Sequence, residues 1–87
     1  MGTKNNPGDF DCYDNAAPDE PMFILLARDT RAPDLVRLWA AISAGDIISA
    51  DAAYKNLTLV GKRSLPEKVT EARDCANAME EWHRKNN

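Results

Sequence analysis

The chain has 87 residues, of which 44% are hydrophobic and 29% charged, and its formal net charge is −3. A chain of this length forms one domain at most and buries only about 60% of the surface that it exposes when unfolded. No segment approaches the ~20 consecutive apolar residues of a membrane span, and no secretion signal opens the sequence, so we expect a cytoplasmic protein with no membrane partner.

The N-terminal segment is acidic and poor in residues that could be buried. Residues 1–20 contain five acids and one lysine, whereas the rest contains ten basic and nine acidic residues. We therefore predict a flexible, partly disordered acidic arm over residues 1–14 and a single helical domain over 15–87. Phe10 and Tyr13 are the aromatic residues that could attach this arm to the domain.

A turn-rich connection, Asn15–Glu20, leads into the apolar run Pro21–Ala27. A run of this length is typical either of a buried strand or of a short buried helix. The acids before Pro21 suit a helix start, and the chain offers no second strand for pairing. We predict a short helix and keep the strand as the alternative.

The next helix is predicted over Pro33–Ala44. Proline suits the first helical position, and Gly45 is placed to end the helix. Apolar residues at helical spacing form one stripe, which consists of Leu35, Leu38, Trp39 and Ile42.

A third helix is predicted to start at Ser49, as its N-cap, and to run over Ala50–Leu59 until Gly61 stops it. Ile47 and Ile48 would then pack against the helix start as a hydrophobic staple.

The last helix begins with a capping box, in which Ser64 is the cap and Glu67 follows three residues later. Its apolar stripe consists of Leu65, Val69, Ala72, Ala76 and Met79, flanked by Cys75 and Trp82. The predicted fold is thus all-α, a small bundle of three to four short helices.

The predicted core of this bundle combines the apolar stripes: Phe23, Leu26, Leu35, Leu38, Trp39, Ile42, Tyr54, Leu57, Val69, Ala72, Ala76, Met79 and Trp82. If Trp39 is buried there, its replacement by alanine should cost roughly 3–5 kcal/mol.

The sequence predicts no catalytic, cofactor-binding or metal-ligating residues, and no cofactor. Acids at Asp9, Asp11 and Glu20 match three positions of a calcium loop, but Asp14 stands where that loop requires glycine. His83 is the only histidine and is read as a helix-end residue. Cys12 and Cys75 are read as free structural thiols, with a disulfide or a reactive thiol as alternatives.

An acidic rim beside aromatic anchors is how many protein interfaces are built. The charges around the apolar run could instead be helix-end charges only. The predicted interaction residues are Phe10, Asp11, Tyr13, Asp14, Asp19, Glu20 and Trp82.

The stretch Asp11–Asp29 resembles a segment that recurs in small, uncharacterised proteins encoded by phages and prophages of proteobacteria. Two later pieces, APDLVRLWA at 32–40 and CANAMEEW at 75–82, are similar to the same proteins in the same order. The resemblance covers about half of the chain, and Ile47–Arg63 departs from it. It implies a phage origin and a bacterial host cytoplasm, but no activity and no catalytic residue.

Together these features predict a small non-enzymatic protein-interaction module of phage origin, which binds a host or phage protein as an inhibitor of host defence or as a phage regulator. The alternative is a nucleic-acid-binding regulator with a helix-turn-helix around Ile42–Leu57. Its second helix offers few basic residues, so nucleic acid is the weaker prediction. A third alternative is a homodimer formed through the small residues of the last helix.

Overall fold

The computed structural model describes residues 1–59 and 64–86, without the side chain of Cys12. Within them the fold is all-α, as predicted, with helices α1 (Cys12–Asn15), α2 (Ala32–Ala44), α3 (Ile47–Leu59) and α4 (Pro66–Asn86). The predicted helix stop at Gly61 and the role of the Cys12 thiol lie outside the described residues. The chain divides into two compact units, Met1–Phe23 with Ser64–Asn87, and Ile24–Arg63.

The acidic arm contains one helical turn, α1, that the sequence did not predict. The side-chain amide of Asn15 donates a hydrogen bond to the backbone carbonyl of Asp11 at 2.8 Å and closes this turn. Upstream, Thr3 and Asn6 exchange backbone hydrogen bonds at 3.0 and 3.2 Å. Local side-chain and backbone bonds of this kind order short polar segments without a hydrophobic core.

The apolar run Pro21–Ala27 is neither helix nor strand, so the predicted helix is wrong. An isolated helix of this length pays the full cost of nucleation for very few hydrogen bonds. A strand would need a partner, and the described residues contain none. The segment ends in a turn in which the Asp29 N–H donates to the Leu26 carbonyl at 3.0 Å.

Helix α2 confirms the predicted element almost to the residue. Its proline lies in the first turn, and it ends at Gly45, whose φ of 72° is left-handed. The Gly45 N–H donates to Ile42 at 3.1 Å and the Asp46 N–H to Ala41 at 2.9 Å. These two bonds form a Schellman motif, which satisfies carbonyls that the helix end would otherwise leave unpaired.

Helix α3 starts at Ile47, three residues before Ala50, the first helical residue if Ser49 were the N-cap. The cap is Asp46, because its carboxylate accepts the backbone N–H of Ser49 at 3.0 Å. The predicted staple is also wrong, since Ile47 and Ile48 are exposed. With Asp46 as the cap, both isoleucines become part of the helix itself.

Helices α2 and α3 pack against each other as a hairpin, and small residues form its interior. The buried apolar side chains among the described residues are those of Ala32, Ala41 and Ala53. The predicted core is therefore wrong at most of its large members, because Trp39, Ile42 and Tyr54 are exposed, as are Phe23 and Leu26. Alanines let two helices approach closely, and this contact turns the larger side chains away.

The inward face of helix α4 is shifted from its predicted stripe, with which it shares Ala72 and Met79. The half-buried positions are Ala72, Cys75, Met79 and Trp82, whereas Leu65, Val69 and Ala76 are exposed. The Cys75 thiol donates a hydrogen bond to the Met22 carbonyl oxygen at 3.3 Å. The N-terminal segment thus contacts the face of α4 that contains Cys75. In the predicted stripe, Cys75 was only a flanking residue.

Candidate interaction surfaces

The arm exposes two aromatic side chains beside acidic ones. Phe10 and Tyr13 are 75% and 74% exposed, so they do not attach the arm to the rest of the unit as expected. Asp14 and Asp19 are exposed as well. We call Phe10, Tyr13 and Asp14 the arm surface, because the three residues flank and form the single turn of α1. An exposed phenyl and phenol next to a carboxylate can bind an apolar surface that carries a positive charge.

Two of the predicted interaction residues hold the arm together instead. The Asp11 carboxylate pairs with the amino group of Met1 and accepts the Gly8 N–H at 2.9 Å. The bond from the amino group, and then the bond from Gly8, lower the pKa of Asp11. Glu20 accepts the Ala17 N–H at 3.0 Å. The Asp11 carboxylate therefore organises a turn of the arm, and the Glu20 carboxylate a turn of the connection that follows it.

Trp82 lies on the packed face of α4. It is half-buried, and its ring meets that of His83 edge-on, with centroids 6.0 Å apart. Its indole nitrogen is buried and has no hydrogen-bond partner within the described part of the chain. Trp82 consequently contributes more to packing within its unit than to an outer surface.

One flank of the α2–α3 hairpin is a shallow groove with a polar rim. Alanines form its floor, and Asp34, Arg37, Ser49 and Asn56 lie at its edges. Arg37 pairs with Asp34 at 3.2 Å, within α2. The Ser49 hydroxyl donates to Asp46 at 2.6 Å, a bond that belongs to the helix cap. The polar groups of Asp34, Arg37 and Ser49 are thus explained by local helix structure.

The opposite flank of the hairpin is apolar. In α2, Leu35, Trp39 and Ile42 share one side, and in α3 Ile47 and Tyr54 lie seven residues apart, on one side as well. A helix rotates by about 100° per residue, so on each helix these residues point about 140–160° away from those that line the groove. We call the five residues the hairpin face. Trp39, Ile42, Ile47 and Tyr54 are 67%, 66%, 81% and 60% exposed.

The sequence had assigned most of the hairpin face to the core and missed it as a surface. The available signal was the placement of Ala41 and Ala53, small residues in the middle of two helices that Gly45 separates. Small residues at such positions favour close helix packing. The bulky residues then lie beside the contact and not within it.

The surface of α3 gives little support to nucleic-acid recognition. Lys55, its basic residue, pairs with Asp51 at 2.9 Å. Asp46 and Asp51 add negative charge to the same helix. Because phosphate contacts need free cations, the helix-turn-helix alternative stays a prediction without structural support.

The described residues contain no cluster of three histidines, cysteines or acids that could hold a metal ion. Of the helices in residues 1–59 and 64–86, none combines the length and the apolar character that crossing a bilayer demands. The chain matches no family model, no curated protein and no solved structure.

Proposed function

We propose that this chain is a non-enzymatic protein-interaction module of phage origin. The observation that carries the proposal is an inversion of the usual distribution of side chains. The buried apolar residues of the described structure are alanines, whereas aromatic and branched aliphatic residues lie at the surface of both units. Contiguous exposed apolar surface on a small protein is typical of a site that another protein covers.

The arm surface is the part that best fits a foreign partner. Phe10 and Tyr13 are exposed aromatic residues, the type that most often contributes much of the binding energy at interfaces. Asp14 and Asp19 add exposed negative charge beside them. A partner with an apolar pocket and a basic rim would complement this surface in shape and in charge.

The biological role that we propose is inhibition of a host defence protein or regulation of the phage cycle, within the bacterial cytoplasm. Its support is the resemblance of residues 11–29, 32–40 and 75–82 to phage-encoded proteins, together with the small size and net charge of −3. The resembling segments include the arm surface from Asp11 onward and most of the α2 part of the hairpin face.

Affinity capture from a host lysate tests the proposal, with the wild type and the double variant Phe10→Ala, Tyr13→Ala as baits. We expect one protein to be retained by the wild type and at least tenfold less by the double variant. Leu65→Ala is the matched control, because Leu65 is an exposed apolar residue of the same unit, outside the arm surface. The proposal fails if the wild type retains no specific protein, or if the double variant retains the same protein equally well.

A further inference from the structure

The α2–α3 hairpin lacks the interior that two helices of this length need. Each helix has 13 residues, and the apolar side chains that are buried in Ile24–Leu59 are three alanines. Two-helix units with so little buried surface are normally stable only when a further layer covers them. The hairpin face is the side on which such a layer would bury large residues.

The size of the hairpin face matches what a symmetric interface requires. With four of them 60–81% exposed, its five residues together expose roughly 600 Å², against the ~800 Å² that each partner buries in a stable complex. Flanking apolar residues such as Val36, which is 53% exposed, extend the patch. Two copies placed face to face would therefore bury up to about 1,200 Å², at the lower end of the standard range.

The balanced charge of the hairpin also allows two copies to associate. Residues 24–59 contain four basic and four acidic residues, so two hairpins do not repel each other. The hairpin face itself carries no acid and no base apart from the Tyr54 phenol. An isologous contact would thus leave no buried charge without a partner.

We infer that the hairpin face is the site at which a second copy of this chain docks, so that the two α2–α3 hairpins form a four-helix bundle around a two-fold axis. This inference rests on the proposed function, since it names the partner of one of the two interaction surfaces. The hairpin face and the arm surface belong to different units, and each would have its own partner.

Sedimentation of the full chain over a hundredfold range of concentration tests the inference with a matched pair of variants. Ile47 and Ile48 are neighbours in the first turn of α3 and are 81% and 85% exposed, but only Ile47 lies on the hairpin face. We expect the wild type and Ile48→Glu to be dimers with similar dissociation constants. We expect Ile47→Glu to weaken the dimer at least a hundredfold. A monomeric wild type, or equal behaviour of the two variants, would overturn the inference.

Trp39 gives a second readout that does not depend on how the glutamate variants fold. In a Trp82→Phe background Trp39 is the only tryptophan. Its emission should shift to the red on dilution, as the dimer dissociates and the indole meets water. Emission that stays constant with concentration would contradict the inference. A monomer whose arm still captures a host protein would leave the proposed function intact, whereas a dimer that captures nothing would refute that function alone.

Discussion

The Asp46 carboxylate accepts two hydrogen bonds from Ser49, one from its backbone N–H at 3.0 Å and one from its hydroxyl at 2.6 Å. The backbone N–H of Asp46 also completes the Schellman motif of α2 by donating to Ala41. One residue thus closes α2 and starts α3. The connection between α2 and α3 is short because Asp46 takes part both in the end of α2 and in the start of α3.

Replacement of Asp46 should loosen the start of α3. Asp46→Ala removes the acceptor of the Ser49 N–H, so we expect less helix by circular dichroism and a lower Tm. Asp46→Asn keeps an acceptor at the same place and should remain close to the wild type. If alanine and asparagine give the same Tm, the carboxylate does not act as a cap.

Asp46 also makes a defined contribution to the pH dependence of stability. The hydrogen bonds from the Ser49 hydroxyl and then from its N–H lower the pKa of Asp46 below its ordinary value of 3.8. A lowered pKa in the folded state stabilises the fold above the ordinary value, and this stability is lost as the pH falls through the lowered pKa. The Tm difference between wild type and Asp46→Asn should be constant near neutral pH and begin to change as the pH falls toward the ordinary value of 3.8. A difference that changes between about pH 5 and 7 would contradict this assignment.

Gly45→Ala isolates the cost of the left-handed backbone. The φ of Gly45 is 72°, and beyond its chain neighbours and the adjoining helix backbone no described atom lies within 4 Å of the place that a Cβ would take. The cost is therefore conformational, and we expect about 1–2 kcal/mol less stability in urea unfolding. Gly45→Asn should lose less, because asparagine tolerates this conformation better. Equal losses for alanine and asparagine would point to a contact instead.

Trp82→Phe should have little effect on stability. The substitution removes an indole N–H that is buried without a partner within the described residues, which offsets part of the lost packing. We expect a change within about 1 kcal/mol, and a clearly larger loss for Trp82→Ala, since Trp82 is half-buried on α4. A large loss for phenylalanine would reveal a hydrogen bond that the indole makes.

Trp39→Ala should behave differently from a core substitution. Because Trp39 is 67% exposed, the loss of roughly 3–5 kcal/mol expected for a buried tryptophan does not apply within one chain. Its effect should instead grow with protein concentration, because it weakens the docking of a second copy. Measuring the Tm of wild type and variant at low and high concentration checks this. A loss that is the same at both concentrations would place Trp39 in the interior after all.

Local chemistry made much of the fold predictable. Gly45 ends α2 because it alone reaches a left-handed backbone without strain, and Pro33 belongs in the first turn because it needs no N–H partner there. The all-α class follows from such signals. The N-cap of α3 was misassigned because Asp46 and Ser49 are both good caps, three residues apart, and each is consistent with an apolar pattern.

Two features of the structure depended on contacts that no sequence pattern indicates. The acidic and aromatic character of the arm could be read from its composition, but only the contacts of Asp11 and Glu20 separated the residues that order the arm from those that it presents. Likewise, the thiol of Cys75 meets the carbonyl of Met22, and no local pattern indicates a contact between positions so distant.

Caps, glycine and helical spacing act over a single turn, so the positions of helices α2, α3 and α4 could be predicted from the sequence to within a few residues. Which side of each helix is inside depends instead on contacts between elements. The stripe of Leu35, Leu38, Trp39 and Ile42 is compatible with several rotations of α2, and the close approach at Ala41 and Ala53 selects the one that leaves Trp39 at the surface.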